Sequence, residues 1–231
     1  FARPAFAKAM INTVIYAIFT VGLVIVLSLS FAVWLGRKPT RINGFSQVCV
    51  FFPHIVATVS ISLIWMWMME PRYGVLNTLL RGVDIPASQW LQSSDTALGS
   101  IIFISVWQSV GYYTLIFIAA IQSVPQEIYE AAELDNATKF STFVWVILPI
   151  ISPQIFFVLI ILTISAFKVF ELILVMTQGG PNNATTSIVY TEVFNNFRWG
   201  YGAVAGVVLL VIVAVLSVFY FVALSKKVYY Q

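Results

Sequence analysis

Charge is the scarcest property of this chain. Only 9% of its 231 residues are Asp, Glu, Lys or Arg, against about 25% in soluble domains. A water-soluble fold would have almost no surface to show. The single cysteine, Cys49, excludes an internal disulfide framework. The single histidine, His54, excludes a site built from several imidazoles, and no metal set is available to it. A net charge of +3 is too small to argue for nucleic acid and fits the flanks of membrane segments. The sequence holds no GxxxxGK(S/T) loop to cradle nucleotide phosphates. Paired carboxylates on one internal face and a Ser-His-Asp set are also missing, which argues against a membrane-embedded enzyme. One Lys and one Glu three residues apart make neither a charged ring nor a relay, which argues against an ion channel or ion-coupled carrier.

What is abundant is apolar length. The chain is 60% hydrophobic, with a mean hydropathy of +0.94. Five segments reach the roughly 20 apolar residues that a bilayer core requires: 13–35, 48–69, 98–122, 150–177 and 202–224. Lipid leaves backbone groups no external partner, and the runs lack the alternation of barrel strands, so the spans are expected to be helices. The expected fold is an all-α polytopic membrane protein. Arg37, Lys38 and Arg41 follow the first span, and Lys226 and Lys227 follow the last. The positive-inside rule then places the C-terminus and the 123–149 loop in the cytoplasm, with 70–97 and 178–201 outside. The bias is shallow, since Arg3, Lys8, Arg72, Arg81 and Arg198 fall outside. Trp65, Trp67, Trp199, Tyr201, Tyr229 and Tyr230 sit near span ends, as interfacial aromatics do. Gly202 and Gly206 form a GxxxG, which permits close packing.

Residues 123–153 form a charged island between apolar runs. Ser123-Val124-Pro125-Gln126 has the form of a helix capping box. Glu127, Glu130 and Glu133 follow as an acidic stripe near the helix N-terminus, where the dipole favours negative charge. Ile128, Ala131 and Ala132 lie on another face, and the alanine pair would let a partner backbone come close. Asp135-Asn136 should end this helix, because Asn tolerates the left-handed conformation. A second helix should run from Ala137 to Val146, to be stopped or kinked at Pro149. On physics alone, a docking surface and a plain solvated hairpin are equally good readings.

The residues Glu130-Ala131-Ala132, Asp135 and Ile147-Leu148-Pro149 resemble the EAA loop of permease subunits of bacterial binding-protein-dependent ABC importers. The family pattern has Gly after the Asp, where this chain has Asn136. Asn12-Thr13, Phe52-Pro53, Ile64-Trp65, Glu70-Pro71, Gly74-Val75-Leu76-Asn77 and Gly179-Gly180-Pro181 extend the resemblance along the whole chain. The last of these is similar to the MalF-like carbohydrate and glycerol-phosphate type. The resemblance implies one permease domain over 1–231, with a coupling loop at about 123–149. It implies a bacterial inner-membrane location and three kinds of partner: a second, similar permease, two ATPase subunits and an external substrate-binding protein. ATP and Mg would bind the ATPase, leaving this chain without catalysis or cofactor. Glu130, Ala131, Ala132, Asp135 and Asn136 would carry the coupling, with Glu130 as the charged contact. The family usually has a further span before Asn12-Thr13. This chain starts at Phe1 with no initiator Met, so that span is expected to be missing.

Polar residues within the spans mark the pathway candidates. Ser105, Gln108, Ser109 and Tyr112 share one helix face by spacing. Lipid penalises such a face, so it should point inward. The bland alternative is interhelical hydrogen bonding, worth under about 1 kcal/mol per bond. His54, Thr58 and Ser62 should likewise share a face, with His54 packed and neutral. Ser165, Lys168 and Glu171 fall within the fourth span. Lys168 lies roughly 13 Å below the end of that span at Thr177, too deep for full snorkelling. Either Lys168 and Glu171 form a structural ion pair, or they meet substrate in a cavity. In the resembling family the third and fourth spans line the cavity. By position alone, Pro86, Trp90, Asn182 and Asn183 are candidates to face a binding protein. Transport of a sugar, oligosaccharide or polyol is the leading expectation, and a glycerol-phosphate or related phosphate-ester substrate is the alternative.

Overall fold

The computed structural model describes residues 4–36, 41–177 and 190–224, and among these the regular elements are helices, with no strand. Arg3, Arg37, Lys38, Gly179-Gly180-Pro181, Asn182, Asn183, Lys226, Lys227, Tyr229 and Tyr230 lie outside the described residues. The helices are α1 (Pro4–Leu35), α2 (Arg41–Ile55), α3 (Thr58–Met68), α4 (Val75–Gly82) and α5 (Ala97–Gln122). They continue with α6 (Gln126–Leu134), α7 (Lys139–Thr142), α8 (Leu148–Ile150), α9 (Ser152–Phe167), α10 (Glu171–Thr177) and α11 (Trp199–Leu224). Four helical stretches are long and apolar enough to cross a membrane, or five if the bent pair α2–α3 counts as one.

The centre of the bundle is α5, and α1 and α2 pack along it. Ile101, Ile104 and Phe117 of α5 are fully buried, as is Val24 of α1. Small residues set the closest approach. A Cβ built on Gly111 would overlap the backbone of Val50 and Phe51, so α2 rests on α5 where α5 has no side chain. By contrast, α11 is the least enclosed span, with 6% of its apolar window buried. It meets α1 through Ala9 and Ala205. Gly206, half of the GxxxG, opens on free space.

Two expected spans are not continuous. The second turns by 95° between α2 and α3, where Ala57 leaves the helix at φ −55°, ψ 132°. The turn follows Pro53, whose missing N–H already weakens the helix. His54 and Ser62 therefore do not share a face. The fourth breaks between Phe167 and Glu171, where the Lys168 N–H bonds back to Ile164 and Ser165 and closes α9. The expected i, i+3 register of Lys168 and Glu171 is lost at this break. Among the described residues the two form no ion pair; the pair within 4 Å is Arg198–Glu192, at 3.8 Å.

The 70–97 loop is held by one buried side chain. Asn77, 1% exposed, donates to the carbonyls of Pro71 (3.0 Å) and Ser88 (2.9 Å). Its Oδ1 accepts from the Ser88 N–H (3.0 Å) and the Trp90 indole (2.8 Å). The half-buried Trp90 is thereby tied into the loop's frame through its indole N–H. Asn77→Ala would strand two donors and two acceptors. Because leaving a buried group unsatisfied costs about 1–3 kcal/mol, the variant should lose at least about 2 kcal/mol and become cleavable by protease between residues 83 and 95. An unchanged melting temperature and digestion pattern would remove the stapling role.

Candidate translocation cavity and hairpin surface

The spans line an open cavity of about 300 Å³. Ser105, Gln108 and Ser109 of α5 line it, together with Ser165, Lys168 and Glu171 from the break between α9 and α10. Thr58, Tyr16 and Thr20 also contribute to its wall. The breaks explain how polar atoms reach this depth. Leaving the helix at Ala57 places Thr58 where its hydroxyl accepts from Gln108 Nε2 at 3.2 Å. Ending α9 at Phe167 leaves Lys168 and Glu171 exposed on the wall.

Tyr112 does not join this group. It stacks on His54, ring centroids 4.6 Å apart and planes 15° from parallel. One face of the His54 ring lies on Tyr112 across the α2–α5 contact, but the residue stays exposed, so His54 is not packed in the interior as expected. Tyr113, one residue on, lines the cavity in its place. Tyr16 and Thr20 were missed by sequence reasoning. They sit in an apolar run, and only the i, i+4 spacing of two hydroxyl side chains on α1 could have marked them.

The second site is the hairpin between α5 and α9. Ser123 does not cap α6; its hydroxyl donates back to Ala120 O at 2.8 Å, and Pro125 stands at the N-cap. The helix ends as expected, at Asn136 with φ +55°. The Asn136 N–H bonds to Glu133 O and the Ala137 N–H to Ala132 O, both at 3.0 Å, which is the paired-bond Schellman geometry that glycine usually provides. Asn136 therefore makes the same turn without Gly. Ala132 is buried against the bundle, so the alanine pair is split and only Ala131 is free to meet a partner. Ile128 and Tyr129 pack on the ends of α5 and α9, and the Tyr129 hydroxyl donates to Ile121 O at 3.3 Å. Burial pushes the Tyr129 phenol above its ordinary pKa. Glu127, Glu130, Glu133 and Asp135 all face outward.

Beyond the turn, Thr138 caps α7 by accepting from the Ser141 N–H at 3.2 Å. The chain then widens into a π-helical turn over Phe143–Ile147 just before Pro149. That widening accommodates a proline that lacks the next donor, and the helix stops only at Ile151. Leu134, Phe140 and Trp145 stand out from this hairpin, 84%, 78% and 78% exposed.

The family described as binding-protein-dependent transport system inner membrane component matches residues 5–228. The chain belongs to this family. Its curated relatives include the diacetylchitobiose uptake system permease protein NgcF of Streptomyces coelicolor. That protein is 34% identical over 236 residues, covering 96% of this chain and 67% of the relative. The trehalose/maltose transport system permease protein MalF of Thermococcus litoralis is 35% identical, covering 89% and 69%. The sn-glycerol-3-phosphate transport system permease protein UgpA of Agrobacterium fabrum is 32% identical, covering 96% and 75%. Among solved structures, a chain of a bacterial alginate ABC transporter superposes with a TM-score of 0.91. At 21% identity, it covers 98% of this chain and 80% of its own length, a likeness that bears on the fold. The protein is thus a multi-pass inner-membrane ABC permease. In this permease, the cavity lies along the middle of α5, at Ser105–Tyr113, and the outward hairpin follows the C-terminal end of that helix.

Proposed function

We propose that this permease forms one half of the translocation pathway of an importer for a sugar, oligosaccharide or polyol. The observation that carries the reading is the cavity wall. It gathers hydroxyl and amide groups from α1, α3, α5 and α9 in an otherwise apolar bundle. Neutral donors and acceptors of that kind match a polyhydroxylated ligand. Polar groups inside a membrane are costly, and a pathway is their usual reason. The names of relatives that carry diacetylchitobiose or trehalose and maltose support the same class.

A second, similar permease would close the other side of the pathway, and a substrate-binding protein would deliver from outside. Two ATPase subunits would hold ATP and Mg, so this chain would be non-catalytic. The α6 hairpin would lie in the cytoplasm with the C-terminus and would dock on the ATPase through Glu130, Ala131, Asp135 and the exposed Leu134. Asn136 would set the turn, and Ala132 would seat the helix on its own bundle. Closure of the ATPase pair would draw the hairpins together and turn the cavity from inward- to outward-facing.

A phosphate-ester substrate is the second reading. Lys168, exposed on the cavity wall and without an ion pair to Glu171, favours it, as does the similarity to a glycerol-phosphate permease. Lys168→Ala and Glu171→Ala test both readings in the reconstituted transporter, with ATP-dependent uptake of neutral and phosphorylated probes compared. Loss of at least about tenfold for the phosphorylated probe alone in Lys168→Ala would select the ester. Comparable losses for neutral probes in both variants would select the sugar class. Normal uptake and preference in both would take these residues out of the pathway. Uptake driven by an ion gradient without ATP hydrolysis would remove the importer reading itself.

A further inference from the structure

Four aromatic rings run in contact from the cavity wall to the end of the bundle where α11 begins. Phe170 lines the cavity at the α9–α10 break. Its ring meets that of Tyr190, with centroids 5.3 Å apart. Tyr190 meets Phe194 at 5.0 Å, and Phe194 meets Trp199 at 6.2 Å. Trp199 is the first residue of α11. Burial falls away along the series. Phe170 and Tyr190 are half-buried, whereas Phe194 and Trp199 are 57% and 61% exposed. Anchoring at the membrane interface explains Trp199 taken alone. It does not explain a series whose other end stands in a polar cavity.

The segment that carries these rings has a fixed shape. Thr191–Asn195 is a π-helical turn. It is tied to the start of α11 by the Arg198 N–H, which donates to the Glu192 carbonyl at 2.7 Å, and by the Arg198–Glu192 ion pair at 3.8 Å. Between those two residues, Phe197 is held at φ +53°. That is an outlier for a bulky side chain, and such strain persists only where the surroundings impose it. The planes of successive rings are inclined by 50°, 32° and 64°. No ring therefore lies flush on the next, and each keeps part of its face open.

Resting on the sugar-class reading above, we propose that Phe170, Tyr190, Phe194 and Trp199 form a ring-by-ring binding track for pyranose sugars, along which a saccharide passes into the cavity. The C–H face of a pyranose is apolar and weakly positive, and an aromatic face carries the negative side of the ring quadrupole. Such contacts hold a neutral sugar while its hydroxyls stay in water. Hydrogen bonding then begins where the track meets the polar wall. Steps of 5.0 to 6.2 Å let one ring take hold before the last lets go. A ringless phosphate ester has no such face to present, and Arg198 beside the track is paired with Glu192.

The test is equilibrium dialysis of the intact, detergent-solubilised transporter against radiolabelled maltose, trehalose, diacetylchitobiose and glycerol phosphate. Phe194→Leu keeps an apolar side chain and removes the ring. It should weaken retention of a neutral sugar about 2–10-fold, the worth of one aromatic contact, and leave glycerol phosphate unaffected. Phe194→Tyr, which keeps the ring, should restore retention. Phe197→Leu is the control, since among the described residues its ring is in none of these contacts, and it should retain sugar as wild type does. If wild type retains a neutral sugar and Phe194→Leu retains it equally well, even with a lower melting temperature, the track is overturned and the sugar class stands. A loss in Phe197→Leu as large as in Phe194→Leu would assign the effect to the apolar surface as a whole and also overturn the track. If wild type retains only glycerol phosphate, or none of the four, the sugar class fails and the track with it. Should Phe194→Leu not assemble, Trp199→Leu against Trp199→Phe gives the same comparison, and equal retention overturns the track.

Discussion

Glu130→Lys is expected to abolish ATP-driven uptake while every subunit still assembles. The folded chain gives this substitution little to disturb. Glu130 faces outward from α6 on the side opposite Ile128, Tyr129 and Ala132, and it has no ion pair among the described residues. Surface changes of that kind usually move stability by no more than about 0.5 kcal/mol. A large loss of transport would therefore arise at a surface outside this chain. The charge reversal falls between Glu127 and Glu133, where a basic groove on a partner would meet three acids in a row. The measurement pairs co-purification of the subunits with uptake and ATP hydrolysis. Wild-type rates would sink the coupling role of α6, and loss of assembly would reassign Glu130 to holding the complex together.

Gly111→Leu should have the largest effect on folding. No side chain fits between α5 and the Val50–Phe51 backbone, and a peptide group cannot rotate aside as a long side chain can. Overpacking a well-filled contact costs about 1–3 kcal/mol, and here the obstacle is backbone, so about 3 kcal/mol or more is expected. Displacing α2 would also separate His54 from Tyr112 and carry Thr58 away from Gln108. The readouts are the yield of membrane-inserted protein and the melting temperature of the purified transporter. A Gly111→Leu protein that accumulates and melts normally would show that α2 is not seated on α5 at this point.

Long apolar runs were legible in the sequence because lipid leaves a backbone few choices. The span over α5 was expected at 98–122 and is helical over Ala97–Gln122. The inward placement of Ser105, Gln108 and Ser109 followed from spacing alone. The breaks were not legible. Val56-Ala57 and Lys168-Val169-Phe170 themselves contain neither Gly nor Pro; Pro53 lies within α2, four residues before Ala57, and α3 packs against α10 where both spans break. Tyr112 was on the expected face but found an aromatic partner at closer reach than the cavity. In the hairpin, local chemistry succeeded at Asn136, where one residue must adopt φ > 0. It failed at Ser123, where the last carbonyls of α5 compete for the same hydroxyl. The bond of the Trp90 indole N–H to the buried Asn77 was not legible for a similar reason, since no spacing rule links the two.

The Asn77 staple has a consequence for the speed of encounter. A 71–96 segment left as free coil would have to surrender its conformational freedom when another protein landed on it, and that entropy would be subtracted from the affinity. With four hydrogen bonds converging on one side chain, the ordering is complete before any encounter takes place. If the proposed substrate-binding protein docks here, it would meet a preset relief and bind as a rigid body, at a rate governed by diffusion and orientation instead of loop folding.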